Sequence, residues 1–273
     1  MKKILVATDF SNCAGNAMDY AMGIAQLMSA QVVVIHAIGS TEGINNNTYS
    51  ALYIEDYYKN KRQALAEWAA TYSVKKGFGT VSVTTLCDIG TVKSVICNYL
   101  EANPVELLVM GTMGSTGIAG IFGTNAHTMV ENTKTPTLII PLGSKFSMKP
   151  VITLATDFTT HLSEKDVNGL NELIAASGAS GLNVLTILEG PEWKKNPSGE
   201  EAFVKLIPGV PIDFKYINED NTIEGILAFI QANSTDILCL VKHHHNIIYR
   251  IFNRSTVNQV MNRSIKAVLV LHE

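Results

Sequence analysis

Between Leu107 and Ile140 the chain carries the residue types and spacings of an anion cradle. A short apolar run, Leu107-Leu108-Val109-Met110, opens onto glycines at Gly111, Gly114, Gly117, Gly120 and Gly123, with Thr124 and Asn125 directly after them. A helix-like segment follows, then a second apolar strand from Thr137 to Ile140. The chemistry this favours is phosphate binding. Glycines admit close approach of the backbone and positive φ, and the unpaired N–H groups at a helix start point at an anion.

Residues that would cut or transfer a phosphate are missing from the pattern. There is no GxxxxGK[ST], so no Walker-type lysine reaches the β- and γ-phosphates. There is no GxSxG elbow. The turn after the first strand, TDFSNCAGNA, holds neither HxGH nor SGGxDS, the motifs of nucleotidyl-transferring and pyrophosphatase chemistry. His127, one turn into the helix, reads more readily as a capping or solvent-facing residue than as a phosphate neighbour. Backbone amides and the magnesium a nucleotide brings would support slow hydrolysis at most. His243-His244-His245 invites a metal reading, but adjacent histidines seldom converge on one ion and no Cys or carboxylate completes the set at ligand spacing. With Arg250 and Arg254 that stretch is weakly basic, suited to an anion or to the rest of the chain.

The elements that must position the cradle follow from periodicity. Lys3 to Thr8 reads as a buried strand, and Asn16 to Met28 as a helix with Ala17, Tyr20, Ala21, Ile24, Leu27 and Met28 on one side. Gln31 to Ile38 is a second strand, Leu52 to Val74 a long helix, and Thr80 to Leu86 a third strand. Thr91 to Glu101 is a helix stopped by Asn103-Pro104. Strands alternating with helices, and apolar on both faces, predict a parallel sheet inside an α/β sandwich.

This order occurs twice. Ala7-Thr8-Asp9-Phe10 recurs as Ala155-Thr156-Asp157-Phe158. At a constant offset Leu107–Met110 lies over Ile237–Leu240, Ile118 over Ile248 and Leu138 over Val268, which predicts that no gap separates the copies there. The two domains are expected at residues 1–143 and 149–273, with the linker between them. The second repeats the elements at 151–156, 165–176, 182–188, 212–216, 222–232, 237–241, 255–261 and 267–271. It is shorter between Glu189 and Ile212, where Pro191, Pro197, Pro208 and Pro211 predict that the long second helix is largely replaced by loop.

Composition limits the alternatives. The 273 residues suffice for one large domain or two ordinary ones, and 47% hydrophobic with 16% charged residues excludes disorder. A net charge of -3 without a basic stripe points away from nucleic acid. Cys13, Cys87, Cys97 and Cys239 are scattered and form no CxxC, which suits reduced thiols. The apolar run Ile4–Ala7 is too short for a secretion signal and no run is long enough to span a membrane, so a cytoplasmic location is expected.

Several of these stretches resemble the universal stress protein family in its tandem two-domain form. They are ILVATDFS at the start, HAI at the end of the second strand, and VMGTMG with FGTNA, followed by PTLIIP. The resemblance covers essentially the whole chain. It implies a five-stranded parallel sheet of order 3-2-1-4-5 in each half, doubly wound with helices on both faces. Ligands of such sheets sit beyond the carboxyl ends of the strands where the order reverses, here between the first and fourth strands. The family analogy assigns adenine and ribose to Asp9, with Thr8 and the backbone near Ala7 and Ala37. It assigns the phosphates to Gly111, Thr112, Gly114, Gly123, Thr124 and Asn125. The implied ligand is ATP or another adenine nucleotide with its Mg2+, in a regulatory stress-response protein that acts on an unknown protein partner. The alternative is an interaction scaffold whose pocket is vestigial or holds another small ligand. The family loop places nine residues between its second glycine and the Gly-Ser/Thr pair, and here only eight, 115–122, intervene. In the second copy Val241-Lys242-His243-His244 replaces Gly111–Gly114 and Asn253-Arg254 replaces Gly123-Thr124. That half is therefore expected to bind no nucleotide, although Asp157 is retained. Family members dimerise through their fifth strands, which implies that 137–140 and 267–271 pair within this chain as an internal pseudo-dimer. Further homodimerisation of the whole chain is compatible with this.

Overall fold

A computed structural model describes residues 1–39, 51–74, 80–112, 124–156, 158, 162–179, 181–188, 195–242 and 266–272. The strands are β1 (Lys3–Ala7), β2 (Gln31–Ile38), β3 (Val83–Ile89), β4 (Leu107–Gly111), β5 (Thr137–Ile140), β6 (Ile152–Ala155), β7 (Leu182–Leu188), β8 (Ile212–Asn218), β9 (Ile237–Lys242) and β10 (Ala267–His272). The helices are α1 (Asn12–Met28), α2 (Ala51–Ser73), α3 (Val92–Ala102), α4 (Thr124–Asn132), α5 (Glu164–Ser177), α6 (Pro197–Leu206) and α7 (Thr222–Ala232). The expected helix at 255–261 lies outside the described residues.

All ten strands join one sheet in the order β3-β2-β1-β4-β5-β10-β9-β6-β7-β8. Each half is parallel internally, with order 3-2-1-4-5 counted along its own strands. The halves meet where β5 and β10 run antiparallel, with Leu138 opposite Leu269. The expected pairing of fifth strands is thus observed, and it removes two sheet edges at once.

Strand alternation sends side chains to two cores. Ile4, Val6, Val34, Val109 and Leu138 face α1 and α2, a core that continues into α5 and α6 of the second half. Leu5, Val33, Ile35, Leu108 and Met110 face α3 and α4, with α7 on that side of the second half. Across the junction α1 packs beside α5, and Lys2 Nζ lies 3.2 Å from Glu172 Oε2.

Four expectations need correction. First, α1 begins at Asn12, not Asn16, because Ser11 caps it by accepting the Ala14 N–H at 3.1 Å. Second, the proline-rich segment holds α6. Pro197 stands in its first turn, where a missing N–H costs nothing, and Asn196 accepts from Gly199 N–H at 3.0 Å.

Third, the halves do not align without a gap. Leu108 pairs with Thr137, whereas Leu238, its counterpart, pairs with Val268, one position beyond Ala267. Leu138 and Leu269 share the core of α1 and α5, while Val268 faces the opposite core. A one-residue slip would put every side chain of β10 on the wrong face, so the apolar pattern fixes this register. The first half is one residue shorter between its fourth and fifth strands than the second. Fourth, β3 lies later than expected, at Val83–Ile89, because an edge strand with exposed Thr84 and Thr85 gives a weak burial signal.

Candidate functional site

The site is built where β1 and β4 part company. Their ladder ends at Val6 opposite Val109. Beyond it β1 stays with β2 through Ala7 opposite Ile35, and the Thr8 N–H donates to the Ile35 carbonyl at 3.0 Å. In the other direction β4 stays with β5 through Gly111 opposite Ile140, and the Thr112 N–H donates to the Ile140 carbonyl at 3.1 Å. α1 then covers one face and α4 the other. A crevice opens between Ala7–Asp9 and Gly111–Thr112, at the switch point of the strand order.

The turn leaving β1 is tied at every residue. The Phe10 N–H donates to Thr8 Oγ1 at 3.0 Å, and the Ser11 N–H donates to Asp9 Oδ1 at 3.1 Å. Phe10 has φ 65°, left-handed backbone that a bulky L residue adopts only under constraint. The constraint is visible. His36 Nδ1 lies 2.8 Å from the Thr8 carbonyl, which can only accept, so Nδ1 carries the proton. The imidazole is buried and meets the Phe10 ring at a tilt of 56°, ring centroids 4.6 Å apart. Phe10 meets the edge of Trp68 at 6.0 Å, and Trp68 meets Tyr72 at 4.7 Å.

The second half repeats the device. The Phe158 N–H donates to Thr156 Oγ1 at 3.3 Å, Phe158 has φ 54°, and the Thr156 N–H donates to the Leu185 carbonyl at 3.0 Å. There Thr186, not a histidine, donates to the Thr156 carbonyl at 2.8 Å. Asp157 lies outside the described residues.

On the β4 side the glycine is held to its identity by packing. A Cβ on Gly111 would stand 2.8 Å from Cys13 Sγ and 3.0 Å from the Cys13 carbonyl carbon. Thr112 is buried, with Oγ1 3.7 Å from the Cys13 sulfur. Cys13 also donates to the Ile140 carbonyl at 3.6 Å, so β4, β5 and the first turn of α1 close on one thiol. All four cysteines are free thiols. Thr124 and Asn125 begin α4 and are exposed.

Of the expected site residues, Ala7, Thr8, Asp9, Ala37, Gly111 and Thr112 therefore stand at the carboxyl ends of β1, β2 and β4, with Thr124 and Asn125 at the start of α4. Gly114 and Gly123 lie outside the described residues, as do His243, His244 and His245. Ala7 and Ala37 pack toward α3 and α4 and present small side chains there. An open groove of about 400 Å³ lies on the opposite side of the turn, between Phe10, Trp68 and Tyr72 and the α1 residues Asn12, Asn16 and Asp19. Burial, then the Asp19 carboxylate, pushes the Tyr72 phenol up. The lining of the groove includes none of Ala7, Asp9, Ala37, Gly111 or Thr112. His36 and Cys13 were not among the expected site residues. The signal for His36 was the repeated Ala-Thr-Asp-Phe turn, which needs something to hold its carbonyl.

A doubly wound sheet with its crevice at the β1/β4 switch point defines a Rossmann-like α/β protein, here with two such units fused. Residues 1–141 match the universal stress protein family, and the chain belongs to that family. A universal stress protein of Methanocaldococcus jannaschii is 24% identical over 152 residues, covering 51% of this chain and 94% of that protein. Universal stress protein YxiE of Bacillus subtilis is 26% identical over 147 residues, covering 50% and 97%. A crystal structure of a universal stress protein from Archaeoglobus fulgidus covers 99% of this chain and 98% of its own, with a TM-score of 0.76 at 14% identity, a likeness of fold. No helix among the described residues is long and apolar enough to cross a membrane.

Proposed function

We propose that the first half binds an adenine nucleotide, ATP foremost, as a regulatory ligand of a stress-response protein. The observation that carries this reading is the parting of β1 and β4 after Val6 and Val109, with crossovers to opposite faces. In this reading Ala7 and Ala37 leave room for adenine, and Asp9, with Thr8 behind it, meets adenine or ribose. The backbone at Gly111, Thr112, Gly114 and Gly123 and the α4 start at Thr124 and Asn125 take the phosphates and the Mg2+ they carry. Residues 1–143 form this unit, and 149–273 form a second that binds no nucleotide. At the position of Gly111 the second half has Val241, whose side chain is buried. In this reading hydrolysis is at most slow, since the sequence carries no Walker-type lysine for the phosphates.

Calorimetric titration with ATP, ADP, AMP and cyclic AMP tests the reading. One site per chain is expected, lost in Gly123→Val and weakened in Asp9→Ala. Mass spectrometry of the protein extracted under denaturing conditions reveals any nucleotide carried through purification. A second reading, an interaction scaffold with an empty or repurposed pocket, draws on the shorter β4–β5 connection and on Gly111 being accounted for by Cys13 alone. Absence of both heat and co-purified nucleotide selects it.

A further inference from the structure

We propose that His36 is a positioning residue for Asp9, holding the Thr8–Ser11 turn in the shape that presents the Asp9 carboxylate to the base or ribose end of the ligand. This rests on the nucleotide reading above. His36 acts on the two residues that flank Asp9. Its Nδ1–H fixes the Thr8 carbonyl at 2.8 Å, and its ring supports the Phe10 side chain at 4.6 Å. Asp9 has little freedom between them, and its Oδ1 is already turned onto the Ser11 N–H.

The second half shows why the imidazole is more than a hydrogen-bond donor. The same carbonyl, in the same left-handed turn, is held there at the same 2.8 Å by the hydroxyl of Thr186. A threonine therefore suffices to close the turn. The histidine adds a ring against Phe10, and it does so at a cost, because its buried Nε2 finds no hydrogen-bond partner among the described residues. The added ring is found in the half with the glycine loop. Phe158 rests instead on Phe203 and Phe214, each at 6.0 Å.

The test is a double-mutant cycle with a ligand-free readout beside it. His36→Leu removes the donor and the imidazole, while His36→Asn places an amide N–H near the position of Nδ1. In His36→Leu the affinities for ATP, ADP and AMP should fall by one common factor, about tenfold, because the loss lies away from the phosphates. His36→Asn, which restores the donor but not the ring, should recover part of it. In an Asp9→Ala background His36→Leu should cost less than about twofold more, the coupling expected of residues acting through one another. In the unliganded protein, amide exchange at Phe10 and Ser11 should quicken in His36→Leu and slow again in His36→Asn. Additive losses, no recovery by asparagine, or unchanged exchange at these two amides would each overturn the proposal. If the wild type binds no nucleotide, the functional reading fails, and amide exchange alone decides whether His36 holds the turn. Should the leucine variant not fold, His36→Val, which has the shape of threonine without its hydroxyl, takes its place in the cycle.

Discussion

Leu138 lies directly opposite Leu269 in the antiparallel pair that joins the two halves, and the pseudo-two-fold relation maps each onto the other. Both are essentially inaccessible to solvent, at 0% and 1% exposure. Only the flanking pairs Ile139–Val268 and Thr137–Val270 share the ladder. The seam is short, so its strength comes from apolar burial above and below it. Leu269→Ala should cost about 2–5 kcal/mol, as should Leu138→Ala. The double variant should fall short of the sum by about 0.5–3 kcal/mol, since the side chains are neighbours. Urea unfolding should stay a single transition with an unchanged slope. A transition that splits in two on Leu269→Ala would show that the halves fold as separate units in spite of the continuous sheet.

Gly111 offers a sharper test of what the glycine loop is for. Its missing side chain is already required by Cys13, whose sulfur and backbone crowd the place a Cβ would take. Gly111→Ala should therefore lower stability by about 1–3 kcal/mol even without ligand. Cys13→Ala should relieve only part of this, because the backbone carbonyl carbon at 3.0 Å remains. If Gly111→Ala left unliganded stability unchanged and only weakened nucleotide binding, the glycine would serve the ligand and not the packing.

The core strands were readable because β1, β2, β4 and β5 are short runs of β-branched and aliphatic residues buried on both faces. The site was readable only in outline. Asp9 and Gly111 are far apart in sequence, and only the strand order brings them to one crevice. The α6 helix was hidden because Pro197 looks like a breaker unless its place in the first turn is known. The one-residue offset between the halves was hidden because Leu138 over Val268 and Leu138 over Leu269 are equally apolar matches. The faces tell them apart, and faces need the sheet. His36 was legible only as part of the HAI stretch that ends β2, and although the repeated Ala-Thr-Asp-Phe turn calls for a partner to the Thr8 carbonyl, only the β1–β2 register shows that His36 is that partner.

The linker is anchored by one aromatic ring. Phe146, between β5 and β6, lies over Gly23 of α1, where a Cβ would come within 2.4 Å of the ring, and meets the edge of Tyr20 at 5.4 Å. Gly23→Ala should displace the ring and destabilise by about 1–3 kcal/mol. With Phe146→Ala present the sign should reverse. The clash is then gone, and alanine is a better helix residue than glycine by up to about 1 kcal/mol. Thermal unfolding of the four proteins of this cycle checks the prediction, and a Gly23→Ala penalty that persists without Phe146 contradicts it.

Tyr20 should set part of the stability at alkaline pH. It is 1% exposed, and its hydroxyl has no hydrogen-bond partner among the described residues. Burial, then the Asp236 carboxylate, pushes its phenol well above the ordinary tyrosine range. In the unfolded chain the group ionises near pH 10. Below that pH both states keep the proton and the contribution is fully present. Above it the unfolded state loses the proton while the folded state holds it, so stability falls by about 1.4 kcal/mol per pH unit for this one group. Tyr20→Phe should abolish that share of the decline between pH 10 and 12. At pH 7 it should be neutral or raise stability by up to about 1 kcal/mol, because it deletes a polar atom that makes no bond. Urea midpoints at pH 7, 10 and 11 decide it. An alkaline slope unchanged by the substitution, or a clear loss at pH 7, would mean that the hydroxyl is solvated in the folded protein after all.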